Sequence, residues 1–318
     1  MKLIRRLAPL LALALAATPA AAADRLSILL DWFVNPDHAP LVVARERGFF
    51  AAEGLDVTLM APADPNDPPK LVAARQADLA VSYQPQLHLQ VAQGLPLVRI
   101  GTLVATPLNS LVVLADGPVR TVADLAGRKI GFSVGGFEEA LLGAMLERHG
   151  LALGDVELVN VNFSLSPAIL AGQVDGVIGA FRNFELNQME LVGRPGRAFF
   201  PEEEGVPSYD ELIYVAHRDD VARPELRRFL AAVEAATAWT LNHPEEAWTI
   251  FAGTDAALDD ELNRRAWAAT LPRLALRPAA LDHGRYRRFA RFLADRGLIA
   301  EPPPVAAFAV DLFQDESE

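Results

Sequence analysis

The chain has 318 residues, of which 51% are hydrophobic and 22% are charged, and it contains no cysteine. This length exceeds what one hydrophobic core usually organises, so we expect two lobes. The lack of cysteine excludes disulfides, thiolate metal sites, a cysteine nucleophile and a lipid-modified N-terminal cysteine. The six histidines do not have the short spacing of a zinc site, so neither a metal nor a metalloenzyme is predicted.

The first 23 residues have the order of an export signal. Lys2, Arg5 and Arg6 precede an apolar stretch over 7–17, and small residues then offer a cleavage site before Asp24. Because the apolar stretch is too short to span a bilayer comfortably, we predict a signal peptide over 1–23. The mature protein would then lie in the periplasm without inserting into the membrane. An N-terminal membrane anchor is the alternative.

Cleavage at this position would make the chain more acidic. The formal net charge of −12 would become −15, since residues 1–23 hold three basic residues and no acidic one. Such a surface repels nucleic acids and anionic lipids, so neither is an expected partner. The chain shows no internal repeat or coiled coil, and we expect a monomer.

Short apolar runs alternate with amphipathic stretches from Leu26 onward, which is typical of βαβ units and a largely parallel sheet. A second alternation begins near residue 116. The final third is mainly helical. The predicted strands are 26–30, 55–60, 79–82, 129–133, 156–161, 174–179 and 211–217, and the principal predicted helices are 40–50, 70–77, 138–150, 168–172, 224–241, 258–271 and 281–296.

This order predicts an α/β protein whose chain crosses twice between two lobes. Lobe 1 would comprise 24–115 and the mostly helical 212–318, and lobe 2 would comprise 116–211. Two crossings imply a two-strand hinge and a cleft between the lobes. Small ligands bind in such clefts at the carboxyl ends of the strands, and hinge closure around them is common.

The densest polar and aromatic cluster follows the first predicted strand. Trp32 offers a flat face for a planar ligand, and Asp31 and Asn35 offer hydrogen bonds. Alternatively, Trp32 belongs to the core between the lobes and Asp37 caps the next helix.

Three further clusters follow other predicted strands. Tyr83 offers a second aromatic face, or else packs at the hinge with its hydroxyl on a backbone carbonyl. Gly135 and Gly136 present backbone N–H groups that can hold an anion, or form a plain structural turn; their spacing fits neither a dinucleotide fingerprint nor a P-loop. Glu185 can accept from the amine of a heterocycle, or else pairs with Arg182 on a surface helix.

Together these clusters resemble the thiamine-pyrimidine branch of the periplasmic binding protein superfamily over about residues 26–252. The stretch Asp-Trp-Phe-Val-Asn-Pro-Asp-His-Ala at 31–39 points to this branch. Further matches lie at 44–50, 53–55, 77–81 and 174–180, and several of the matching stretches are shared with alkanesulfonate and taurine binders. The resemblance implies a type II periplasmic binding protein fold. It also implies delivery of formylaminopyrimidine or hydroxymethylpyrimidine to an ABC permease and its ATPase.

The resemblance further implies that an aminopyrimidine lies between Trp32 and Tyr83 and that Glu185 accepts from its amino group. It implies no cofactor. The remaining candidate contacts are Asp31, Asn35, His38, Asn183 and Tyr214, together with Gly135 and Gly136.

A related eukaryotic protein is instead an enzyme, a suicidal pyrimidine synthase that carries pyridoxal phosphate on a lysine. Its lysine and histidine match Ser82 and Gln86 of this chain, and none of the three lysines here lies in the matching strand. Without a Schiff-base lysine this cofactor chemistry is not available, so we predict a binding protein and not an enzyme. A binder of another solute, such as an alkanesulfonate, and a sensor subunit are the alternatives.

Overall fold

The computed structural model describes residues 22–314. The predicted signal peptide falls almost wholly on residues 1–21, outside the described residues. In the described part, no helix is both long enough and apolar enough to cross a membrane.

The described residues contain ten strands. In chain order they are β1 (Asp24–Leu29), β2 (Leu55–Met60), β3 (Leu79–Ser82), β4 (Leu97–Val104), β5 (Asn109–Leu114), β6 (Lys129–Phe132), β7 (Glu157–Asn160), β8 (Gly176–Phe181), β9 (Gly196–Phe199) and β10 (Leu212–His217).

Eleven α-helices of the same region flank the strands. They are α1 (Ala39–Glu46), α2 (Phe49–Ala52), α3 (Pro68–Ala73), α4 (Gln84–Ala92), α5 (Phe137–Arg148), α6 (Leu165–Leu170), α7 (Glu185–Leu191), α8 (Pro224–Asn242), α9 (Pro244–Ala252), α10 (Glu261–Thr270) and α11 (His283–Asp295).

The strands form two mixed sheets, one in each lobe. The sheet of lobe 1 has the order β2-β1-β3-β10-β4, and the sheet of lobe 2 has the order β7-β6-β8-β5-β9. In each sheet three neighbouring strands are parallel, and a fourth strand runs antiparallel beside them. This fourth strand is β10 in lobe 1 and β5 in lobe 2. The two lobes therefore have the same architecture.

The chain crosses between the sheets twice, over residues 105–108 and again between β9 and β10. The predicted first crossing near 115 is one strand too late, because β5 pairs with β8 and β9 in lobe 2. The turn at Asp116-Gly117-Pro118 that suggested the boundary follows β5 inside lobe 2, where the Gly117 N–H donates to the Leu114 carbonyl.

Local sequence signals account for several helix ends. The predicted helix over 40–50 is in fact two helices, because Gly48 adopts a left-handed backbone (φ 76°) between α1 and α2. The prediction for α8 is confirmed: Pro224 is its first residue. Its buried face includes the predicted Leu226, Phe229, Leu230, Val233 and Thr237, and the helix packs mainly against α1 and α2.

Candidate functional site

A pocket lies between the lobes where β1, β3 and β8 end. The empty space in it is about 410 Å³, open solvent at the mouth included. Lobe 1 contributes Asp31, Trp32, Asn35, Asp37 and Tyr83, and lobe 2 contributes Glu138, Leu165, Gly179, Phe181, Phe184 and Glu185.

The Asp31 carboxylate is held by two side chains of its own lobe. Tyr83 donates its hydroxyl to Asp31 Oδ2 at 2.9 Å, and His38 Nε2 lies 2.9 Å from Oδ1. The Asn35 N–H donates to His38 Nδ1 (3.3 Å), so in the neutral ring Nε2 carries the proton and donates to Asp31. His38 is fully buried and does not line the pocket, so it orients Asp31 there.

The two predicted stacking residues, Trp32 and Tyr83, line the same pocket. Trp32 packs edge-on against Phe163 of lobe 2, with ring centres 4.7 Å apart. Phe33, which is half exposed, also packs against Phe163. Tyr83 stacks on Phe137 of lobe 2 (4.8 Å). One face of Tyr83 is therefore covered by protein.

Asp37 lines the pocket and does not cap the following helix. Asn35 is the cap of the short 3₁₀ turn, since its Oδ1 accepts from the Asp37 N–H at 2.8 Å. Asp37 Oδ1 instead accepts from Asn183 Nδ2 and from the Thr270 hydroxyl, both at 2.7 Å. Asn183 belongs to lobe 2, so this bond joins the lobes. Burial raises the pKa of Asp37 to about 6.

Glu185 lies in the pocket, and the alternative of a surface pair with Arg182 is wrong. Arg182 donates to Glu202 at 2.6 Å and covers the ring of Phe200. Glu185 begins α7, and its Oε2 accepts from the Phe181 N–H at 2.6 Å. This leaves its second oxygen for a ligand donor. Burial raises the pKa of Glu185 to about 7.

Glu138 is a pocket residue that sequence reasoning did not select. Its Oε2 accepts from the Ser133 N–H at 2.8 Å, and burial raises its pKa well above the ordinary range. Gly179 makes room for it: φ is +98° there, and a Cβ at this position would lie 2.6 Å from the Glu138 carboxyl carbon. A glycine inside an apolar strand, a typical sign of close approach, was the available signal.

Besides His38 and Asn183, which bond Asp31 and Asp37, three more predicted contacts do not line the pocket. Tyr214 is fully buried in the core of lobe 1, where it packs edge-on against Phe229 (5.3 Å). The Gly135 N–H donates to Asn66 Oδ1 (2.9 Å), and the Gly136 N–H donates to the carboxylate of Glu139. Neither glycine lines the pocket, and both N–H groups are occupied. The predicted anion site is therefore wrong.

The pocket is rich in carboxyl groups. Among the described residues its lining includes Asp31, Asp37, Glu138 and Glu185 and no lysine or arginine. No three His, Asp or Glu side chains in this part of the chain are arranged to hold a metal ion. The pocket therefore offers acceptors and, through any protonated carboxyl group, donors, but no fixed positive charge.

The raised pKa of Glu185 predicts a specific dependence of stability on pH. Because this pKa rises from 4.5 to about 7 on folding, the group destabilises the folded state when it ionises. Its contribution to the free energy of unfolding should therefore fall between about pH 4.5 and 7. Glu185→Gln removes that ionisation. Urea unfolding at pH 5 and at pH 8 measures the change. The free energy of unfolding should fall between these two pH values by at least about 1 kcal/mol more in the wild type than in the variant. Equal falls would contradict the burial of this carboxyl group.

Two α/β lobes, two chain crossings and a cleft at the strand ends define the type II periplasmic binding protein fold. Among solved structures, the alkanesulfonate-binding protein SsuA from Xanthomonas axonopodis pv. citri bound to MOPS has this fold. Its TM-score is 0.71 at 19% identity, covering 91% of this chain and 99% of that one. The predicted fold class is confirmed.

A family model described as NMT1/THI5 like matches residues 35–247, and the chain belongs to this family. A Haemophilus influenzae protein provisionally named a thiamine biosynthesis protein is 53% identical, over 92% of this chain and 94% of its own. The formylaminopyrimidine-binding protein of Halalkalibacterium halodurans is 35% identical, over 72% and 70%. More distantly, a Legionella pneumophila protein named 4-amino-5-hydroxymethyl-2-methylpyrimidine phosphate synthase is 27% identical, over 78% and 79%. The predicted family resemblance is confirmed.

Proposed function

We propose that the protein is the extracytoplasmic solute-binding component of an ABC importer. Its ligand is a thiamine pyrimidine precursor, formylaminopyrimidine or hydroxymethylpyrimidine. The observation that carries the proposal is the pocket lining, which combines aromatic rings with four buried carboxyl groups and no cationic side chain. An aminopyrimidine is flat and carries N–H donors, so it needs a stacking surface and acceptors.

Each proposed contact has a distinct task. Trp32 supplies a ring face, and Tyr83 supplies the opposite wall while its hydroxyl is held by Asp31. Glu185 accepts from the amino group of the ligand. Asn35 lines the pocket beside Trp32.

The relatives support the same ligand class. The Halalkalibacterium halodurans relative is named for formylaminopyrimidine binding. The export signal predicted over 1–23 supports a periplasmic location, where the protein would act as a monomer with a permease and its ATPase.

A sulfonate is a poorer match for this pocket, although SsuA shares the fold. A sulfonate needs donors or cations, whereas this lining concentrates carboxyl groups. Arg182 follows the pocket residue Phe181 in sequence, but it is paired with Glu202 and does not line the pocket.

The synthase activity named for distant relatives is also disfavoured. The position matched to the synthase lysine is Ser82, whose hydroxyl donates to Gln86 at 3.0 Å. A serine there cannot form a Schiff base. We therefore propose a binding protein without catalytic activity.

Titration calorimetry with formylaminopyrimidine, hydroxymethylpyrimidine and an alkanesulfonate tests the proposal. We expect saturable heat with at least one of the pyrimidines and none with the sulfonate. Sulfonate binding without pyrimidine heat would reject the proposed ligand class.

A further inference from the structure

A side-chain amide of lobe 1 reaches the backbone of lobe 2 outside the pocket. Asn66 lies in the connection between β2 and α3. Its Nδ2 donates to the Ser133 carbonyl at 3.1 Å, and its Oδ1 accepts from the Gly135 N–H at 2.9 Å. Because the partners belong to different lobes, both bonds require the lobes to lie against each other.

Asn66 is held ready for this contact by its own loop. The carboxylate of Asp64 accepts from both the backbone N–H and the Nδ2 of Asn66, each at 2.8 Å. These two bonds lower the pKa of Asp64, which keeps it ionised as an acceptor. A side chain that is already oriented loses less entropy when it binds.

The backbone that Asn66 binds is connected directly to the pocket wall. The Ser133 carbonyl accepts from Asn66, and the Ser133 N–H donates to Glu138, which lines the pocket. Asn66 itself does not line the pocket. The same turn of lobe 2 therefore binds Asn66 of lobe 1 and positions the Glu138 carboxyl group in the pocket.

We propose that Asn66 is a latch that stabilises the closed arrangement of the lobes and so raises ligand affinity without touching the ligand. The identity of that ligand rests on the proposed function. If the closed state is the binding-competent one, a smaller closed population weakens the apparent affinity by the same factor. Loss of two neutral hydrogen bonds should raise the Kd about 5- to 150-fold, mainly through faster dissociation.

The test compares Asn66→Ala with Asn242→Ala, a control whose amide bonds only its own helix. Because the chain lacks cysteine, Ala235→Cys on lobe 1 and Ala171→Cys on lobe 2 place spin labels at two exposed positions only. Pulsed dipolar spectroscopy then reports the distance between the lobes, with and without formylaminopyrimidine. Stopped-flow kinetics on unlabelled protein reports dissociation.

We expect Asn66→Ala to reduce the closed population without ligand and to speed dissociation, while Asn242→Ala matches the wild type. An unchanged distance distribution together with unchanged dissociation would overturn the latch. If neither pyrimidine binds the wild type, the proposed ligand fails. The interlobe distances measured without ligand would still test the latch. Identical distributions for the wild type and Asn66→Ala would then reject it.

Discussion

Replacing Glu185 by glutamine should lower the affinity for formylaminopyrimidine about tenfold to a hundredfold at pH 8. The change keeps the shape of the side chain but replaces an ionised acceptor. Hydrogen bonds to charged groups contribute roughly 1.5–3 kcal/mol, and about 1.4 kcal/mol corresponds to a tenfold change in Kd. Since Glu185 is buried and one oxygen already accepts from Phe181, the change should leave the shape of the pocket intact. Titration calorimetry measures the effect.

Glu202→Gln is the matched control for this experiment. Glu202 is the carboxylate that actually pairs with Arg182, and it does not line the pocket. We expect the control to bind like the wild type. Equal affinities for Glu185→Gln and the wild type would remove Glu185 as the acceptor while leaving the ligand class open to the direct titrations.

Arg99→Leu should lower the free energy of unfolding by about 3–5 kcal/mol, because several buried backbone acceptors lose their donor and each unsatisfied buried acceptor costs roughly 1–3 kcal/mol. Arg99 is fully buried in β4. Its guanidinium ties the C-terminal segment to the sheet of lobe 1 by donating to the Thr102 hydroxyl and to the carbonyls of Pro278, Ala279, Ala280 and Val310. Leucine would remove the donor of the Ala279, Ala280 and Val310 carbonyls, whereas the Pro278 carbonyl would still accept from the Thr102 N–H. Urea unfolding followed by circular dichroism measures the loss.

Arg287→Leu is the control for the stability experiment. Arg287 is exposed on α11 and has no ion pair among the described residues. Its loss should change the free energy of unfolding by less than about 0.5 kcal/mol. A loss below about 1 kcal/mol for Arg99→Leu would show that the C-terminal segment is held by other contacts.

The sequence predicted those features that depend on neighbours along the chain. Apolar runs marked most strands of the parallel core, and the polar residues that end β1 and β3 marked one wall of the pocket. Asp31, Trp32 and Tyr83 were found in this way, because strand ends in α/β lobes face the cleft. Glu185 was found in the same way, in the cluster that follows the strand predicted over 174–179, and its alternative partner Arg182 lies three residues before it.

Features that depend on distant segments were missed. The true partner of Arg182 lies 20 residues away, and the position of the Glu138 side chain, on α5, depends on the backbone of Gly179 in β8. Tyr214 had the right residue type, but its side chain in β10 packs against Phe229 in the lobe 1 core. The first crossing was misplaced because β5 is apolar like its predecessor, and only its pairing with β8 and β9 assigns it to lobe 2.

Mass spectrometry of the small molecule that co-purifies with the natively exported protein tests the central claim most directly. The protein is purified without added ligand and then denatured to release what it carries. The account predicts an aminopyrimidine with the mass of formylaminopyrimidine or hydroxymethylpyrimidine, present in wild type and depleted in Glu185→Gln. Release of an alkanesulfonate or another anion, equally abundant in both proteins, would contradict it.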